Sequence, residues 1–351
     1  MPDSPTKPLT FPEPVVGFVH STGFAELCTK LKISLLVSTY QAQRIVLFSA
    51  NGPKLSGLMR GFERPTGMAL DGKRLALSAK NRIWFFDDIG SAYDSDGNLL
   101  PYDSYFVPRY GHVTGDIAAH EMHFHRGELI VVNTRFSCLC KLDQHWSFVP
   151  TWRPPFIDAY VAEDRCHLNG LVLDSNGPKF ATALSSSNTR DGWRAQKATG
   201  GIVIDIPSGE VVAHGLAMPH SPRFYDNKYW VLESGKGELH VLDPQNGKCT
   251  PVANLLGYLR GLAFYDRYAF IGTCKIREKS TFGGMPIELR AKELKCGVQV
   301  VDIVSGQTVE FIEFTKGIEE LFDIKVLPGV TQPHILGFED DTINGVYLFP
   351  K

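Results

Sequence analysis

The chain has 351 residues, 43% of them hydrophobic and 21% charged, enough apolar material to bury a sizeable core in one large or two ordinary domains. Its net charge is −2, and its 36 basic residues are scattered along the chain, which argues against a nucleic-acid partner. No stretch reaches the roughly 18 uninterrupted apolar residues of a membrane span, and "MPDSPTKPLTFPEP" lacks the pattern of an export signal. A cytoplasmic protein with no membrane partner is the expectation.

In chain order, residues 1–12 read as a polar, proline-rich tail. "PVVGFVHS" then reads as a lone strand, and "FAELCTKLKISLLVSTYQAQRIVLFSANGPKLSGLM" as a first multi-stranded unit. After it one pattern recurs: a polar or small residue, an apolar strand, a short polar turn, a second strand, and a third closed by Asp or Gly. The pattern is carried by "RPTGMALDGKRLALSAKNRIWFFDD", "AHEMHFHRGELIVVNTRFSCLCKLD", "HLNGLVLDSNGPKFATAL", "HSPRFYDNKYWVLESGKGELHVLDPQNG" and "LRGLAFYDRYAFIGTC". "LFDIKVLPGVTQPHILGFEDDTINGVYLFPK" closes the series with three more strands.

A repeat of several short strands every roughly 40 to 50 residues is the signature of a β-propeller. The fold expected is therefore all-β, a single closed propeller over residues 1–351. Seven blades are expected, with the chain ends sharing a blade in which "PVVGFVHS" completes the last unit. The helical candidate is "PIELRAKELK", Pro286 to Lys295. The seven cysteines include one C-x-C pair, Cys138 and Cys140, and read as free thiols in the core.

In a propeller the starts of the inner strands converge on one mouth of a central channel. Counting back from the first turn of each unit aligns Pro65, His120, His220 and Arg260, with His167 taken as the corresponding residue of the fourth unit. A slip of one residue would put Leu168 at that place, with Asn169 beside it. "SSSNTRDGWRAQKATG" and "KIREKSTFGGMPIELRAKELK" both leave between second and third strands and are expected to cover the same mouth. The candidate site comprises His120, His167 and His220 as ligands of a divalent metal (zinc, iron or copper) or as acid and base groups. Glu121, Arg260 and Asp323 are its catalytic candidates; Asn169, Trp193, Arg194 and Glu320 are its substrate-binding candidates. Any one of these residues could instead bond a neighbouring blade and hold the ring together.

The runs "VVNTRFSCLCKLD", "WRPPFI", "EDRCHLNGL", "GWRAQKATGG", "MPHSPRFY", "LRGLAF", "KIREKSTFGGMPI" and "ELKCGVQVVD" closely resemble a bacterial family of conserved hypothetical proteins, sometimes joined to tetratricopeptide repeats. The resemblance covers roughly Thr22 to Pro333 and implies no particular activity. The expected function is that of an enzyme binding a small polar, anionic molecule in the central pocket. The alternative is a non-catalytic small-molecule sensor or protein-interaction propeller.

Overall fold

The computed structural model describes residues 15–93, 97–275, 283–338 and 341–348. The expected tail at residues 1–12, and residues 276–282 of the second long insertion, lie outside this range.

Strand formation follows from apolar runs that are buried on both faces. In Ile33–Thr39 every residue is buried. Leu35 and Val37 pack with Val46 and Phe48 into one apolar cluster, whereas Leu36 packs with Ile45 and Leu47 into another. Alternate side chains thus fill opposite interfaces, as a sheet sandwiched between two neighbours requires.

Among the described residues the strands form six sheets, each with four antiparallel strands at its heart. Their inner strands are Asp323–Pro328 in blade 1, Pro65–Asp71 in blade 2, Ala119–His125 in blade 3, Leu168–Asp174 in blade 4, Pro219–Tyr225 in blade 5 and Tyr258–Tyr265 in blade 6. Each inner strand packs on the next, and the sixth on the first, so the ring is closed.

The expectation of seven blades is thereby corrected to six. The first and last units each read as a blade, but they are parts of one: Asp323–Pro328 is the inner strand of a sheet whose other three strands are Ile33–Thr39, Arg44–Asn51 and Lys54–Gly61. The lone strand does not complete that sheet. Gly17–His20 instead adds a fifth strand to blade 6, beside Gln307–Lys316. Pro333–Ile335 adds a parallel fifth strand to blade 2, beside Ser104–Val113. Both additions cover outer edges that would otherwise be open to pairing.

"FAELCTKL" is also not a strand. Phe24–Leu31 is a helix that places Phe24, Leu27, Cys28 and Leu31 on one stripe; Phe24 and Cys28 are buried, and all four join the cluster at the blade 6–blade 1 interface. In the other helical candidate, Pro286–Glu293 forms 3₁₀ turns.

The seven cysteines are free and six are buried. Burial pushes the Cys28, Cys138 and Cys166 thiols up to about 12 and the half-buried Cys249 thiol up to about 11. Titration of the native protein with a thiol reagent should register Cys249 slowly and the other six only after unfolding. Rapid reaction of several thiols in the native protein would contradict this packing.

Candidate functional site

The first hairpin of each blade sets the height of every residue in the channel. The turn pairs are Asp71 with Arg74, His125 with Glu128, Asp174 with Gly177, Tyr225 with Lys228 and Tyr265 with Tyr268. Counting back an equal distance from each reaches Thr66, His120, Asn169, His220 and Arg260. Blade 1 contributes Phe322, because Asp323 holds the Met68 N–H at 2.9 Å just as Glu121 holds the Leu171 N–H at 2.9 Å. These six residues form one level around the channel mouth.

Two of the alignments therefore change. Thr66 replaces Pro65, since the turn of blade 2 begins one residue later than was counted. Asn169 replaces His167, which stands two residues earlier in a left-handed turn (φ 52°) matched by Arg64, Ala118 and Met218 before their own inner strands.

The three imidazoles nevertheless meet. The His120 ring lies 5.6 Å from that of His167, 5.3 Å from that of His220 and 4.7 Å from Phe322, centroid to centroid. His220 is 1% exposed, and its Nδ1 donates to Met218 O at 2.9 Å, which leaves Nε2 as the unprotonated nitrogen. The Tyr258 hydroxyl lies 3.5 Å from that Nδ1. His120 is hydrogen-bonded to the backbone of Asn169. Among the described residues, Nε2 of both rings is shut off from solvent and has no hydrogen-bond partner. Burial, and after it the Arg260 guanidinium, holds both imidazoles well below the usual histidine value, so both are neutral at pH 7.

Arg260 is 7% exposed; its guanidinium covers the Phe322 ring at 4.6 Å and lies 3.9 Å from Glu320. His120, His167, Arg194, Arg260, Glu320 and Phe322 all border a cavity of about 360 Å³, at the lower end of the range for ligand sites.

Other candidates lie elsewhere. Trp193 is 1% exposed: it packs on His167 at 4.4 Å and donates to Asp164 at 3.1 Å, so it backs the site without bordering the cavity. Asn169 spends its amide on blade contacts, donating to Pro219 O at 3.0 Å and accepting from Thr182 at 2.7 Å. Glu121 and Asp323 stand one residue beyond the mouth level and so face the other way. There Glu121 pairs with Arg223, which lies 3.8 Å from Asp323, while Lys325 holds Asp323 at 2.9 Å. This layer also absorbs His123, 3.8 Å from Glu121. Gly67 and Gly261 occupy the same depth. A Cβ at Gly67 would come within 2.6 Å of His120 O, and one at Gly261 (φ +77°) within 2.8 Å of Ile324 N.

The two long insertions meet on one face as far as they are described. Trp193 of the first shares an apolar cluster with Met285 and Ile287 of the second, together with Met218 and Tyr258. Among the described residues the first insertion reaches the cavity, through Asp191 and Arg194.

The set His120, His167 and His220 does not meet the span that one metal ion needs. Among the described residues, the group whose ligand atoms all lie within 4.8 Å of one another is Glu233, Glu238 and His240, in blade 5. Those atoms are already engaged: Glu233 Oε1 accepts from Lys236 and from the Ala217 N–H, each at 2.9 Å, and His240 Nε2 lies 2.9 Å from Glu238.

A family model described as Domain of unknown function (DUF4915) matches residues 22–336. The chain belongs to that family. A search of curated proteins finds no significant match. Among solved structures the chain is similar to one titled "Crystal structure of Nidogen/Laminin Complex", with 11% identity, TM-score 0.52, and coverage of 85% of this chain and 99% of that one. It is also similar to a protein of unknown function from Bacteroides caccae, with 11% identity, TM-score 0.51 and coverage of 84% and 98%. At such identity the likeness shows the propeller fold alone. Among the described residues no helix is long and apolar enough to cross a membrane.

Sequence reasoning missed Asp164, which joins the site to the insertion above it. Its carboxylate takes His167 Nδ1 at 2.9 Å and Trp193 Nε1 at 3.1 Å. Asp164 sits in an irregular loop, where no strand period exposes its direction.

Proposed function

We propose that the mouth pocket binds a small anionic molecule and that His120, with His220 behind it, exchanges a proton with it. The observation that carries this reading is the pair of buried, unpartnered Nε2 atoms beside Arg260. Buried polar atoms are normally hydrogen-bonded, so an unpartnered one on a ring that borders the cavity, with a second on the ring behind it, suits a ligand whose entry shifts the His120 ring and supplies a polar group.

The electrostatics favour an anion. Arg260 is a fixed cation, and it is one reason why the neighbouring imidazoles are neutral. An acidic group placed against Arg260 offsets that cation and raises the His120 pKa towards the range in which a general base works near neutral pH. His167, held by Asp164, packs at the edge of the His120 ring and limits its rotation.

The test is to incubate the protein with small organic acids and phosphate esters in deuterated water and follow them by proton NMR. Deuterium uptake into, or conversion of, one compound, lost in H120A and H220A and with them tight binding, supports the reading. Binding with no exchange or conversion of any compound would overturn its catalytic part.

A further inference from the structure

The wall of the same pocket carries a pair of cations that proton exchange does not use. Arg64 stands at the turn into the inner strand of blade 2, and Arg135 between the second and third strands of blade 3; both border the cavity. Each other arginine there has a carboxylate of its own: Arg194 lies 3.4 Å from Asp191 and Arg260 3.9 Å from Glu320. Arg64 and Arg135 share one. Arg64 Nη2 lies 3.4 Å from Asp116 Oδ2, and Arg135 Nη2 lies 3.1 Å from the same oxygen. Within this triad one positive charge is left over, and among the described residues Nε of each arginine is buried without a hydrogen-bond partner.

The shared carboxylate and the backbone that carries Arg135 are held in place. Asp116 Oδ1 accepts the Ala118 N–H at 3.2 Å, and the Arg64 guanidinium covers the Tyr40 ring at 5.6 Å. The Arg135 N–H donates to Ile117 O at 3.2 Å, and its carbonyl accepts the Glu163 and Asp164 N–H groups at 3.1 and 2.9 Å. Two guanidiniums with charge to spare, held side by side on one carboxylate at the cavity wall, suit a planar or tetrahedral oxyanion.

We infer that Arg64 and Arg135 form a second anion subsite, so that the pocket's ligand is a small molecule with two acidic groups, one held by Arg260 and the other by this pair. The inference rests on the reading of the mouth as an anion pocket. A cavity of about 360 Å³ accommodates two such groups on a short linker. Dicarboxylates and phosphorylated carboxylic acids share the required chemistry.

Calorimetric titration with butyrate, succinate, glutarate and phosphoglycolate tests it on the full chain. The doubly acidic compounds are expected to bind about tenfold tighter than butyrate. In R64Q/R135Q that advantage should vanish while butyrate binding is unchanged; in R260Q all four should weaken. D116N, which removes the competing carboxylate, should tighten the doubly acidic compounds, and it keeps the test open should the double variant fold poorly. Whether phosphoglycolate or the dicarboxylates rank first identifies the second acid, and either order supports two subsites. A preference that is absent in the wild type, survives R64Q/R135Q or is untouched by D116N would overturn the inference while butyrate binding leaves the anion pocket standing. Failure of the wild type to bind any of the four would overturn both.

Discussion

Replacing Arg223 by Met is expected to cost about 3 to 5 kcal/mol of stability, measured by urea unfolding at pH 7. Arg223 is the hub of the layer beneath the pocket. Its guanidinium pairs with Glu121 of blade 3, lies 3.8 Å from Asp323 of blade 1, and donates through Nε to Leu262 O of blade 6 at 2.8 Å. Removing it leaves the Glu121 carboxylate buried with its main countercharge gone. Burial alone would push Glu121 up; Arg223, with His123 and Lys325, outweighs it and holds the carboxyl at about 2. The gap between that value and the ordinary 4.5 corresponds to about 3 kcal/mol. Because the folded value is the lower one, this stability is fully present above pH 4.5 and is lost as pH falls from there towards 2. The deficit of R223M relative to wild type should therefore narrow between pH 5 and pH 3. A deficit that is small at pH 7, or independent of pH, would show that the layer does not clasp the blades.

Binding of the pocket's ligand should take up a proton, and H120Q should abolish most of that uptake. His120 is neutral in the free protein because of burial first and Arg260 second. An anion that offsets Arg260 raises the imidazole pKa from well below the ordinary 6.5, so protonation and binding reinforce each other, and affinity should increase as pH falls below neutrality. Titration calorimetry in buffers of different ionisation enthalpy reads the uptake directly. Affinity and uptake that are the same in wild type and H120Q would remove His120 from the chemistry. The same depressed values act on stability: the neutral rings of His120 and His220 contribute fully above the ordinary value of 6.5, and the contribution declines as pH falls below it. Ligand affinity and fold stability thus respond to acid in opposite directions.

The repeated meander was legible because alternation and turn chemistry are local, and His120, His220 and Arg260 were found because their hairpin turns are short and equal. The blade count was not, because a period counts strands without saying which of them pair. Nothing local in "LFDIKVLP" announces a partner in "KISLLVST", and yet Ile324 lies opposite Val37. His167 stands two residues short of the level because the blade 4 turn pairs Asp174 with Gly177, which the run "DSNG" does not announce, and an equal count back from it ends at Asn169. Phe322 and Thr66 belong to the mouth level but carry no chemical flag in a sequence. Glu121 and Asp323 carried one, and the two-residue period of a strand turned both away from the pocket.

Blade 1 is woven from both ends of the fold: its outer strands come from residues 33–61 and its inner strand from residues 323–328. Glu320, Phe322 and Asp323 therefore follow every other residue of the mouth level in chain order. Without them, Ile33–Thr39 has no inner partner, His120 lacks its Phe322 neighbour and Arg260 lacks Glu320. Pocket and closed ring are completed by one segment in one event, and a chain cut before residue 320 would lose recognition and closure together.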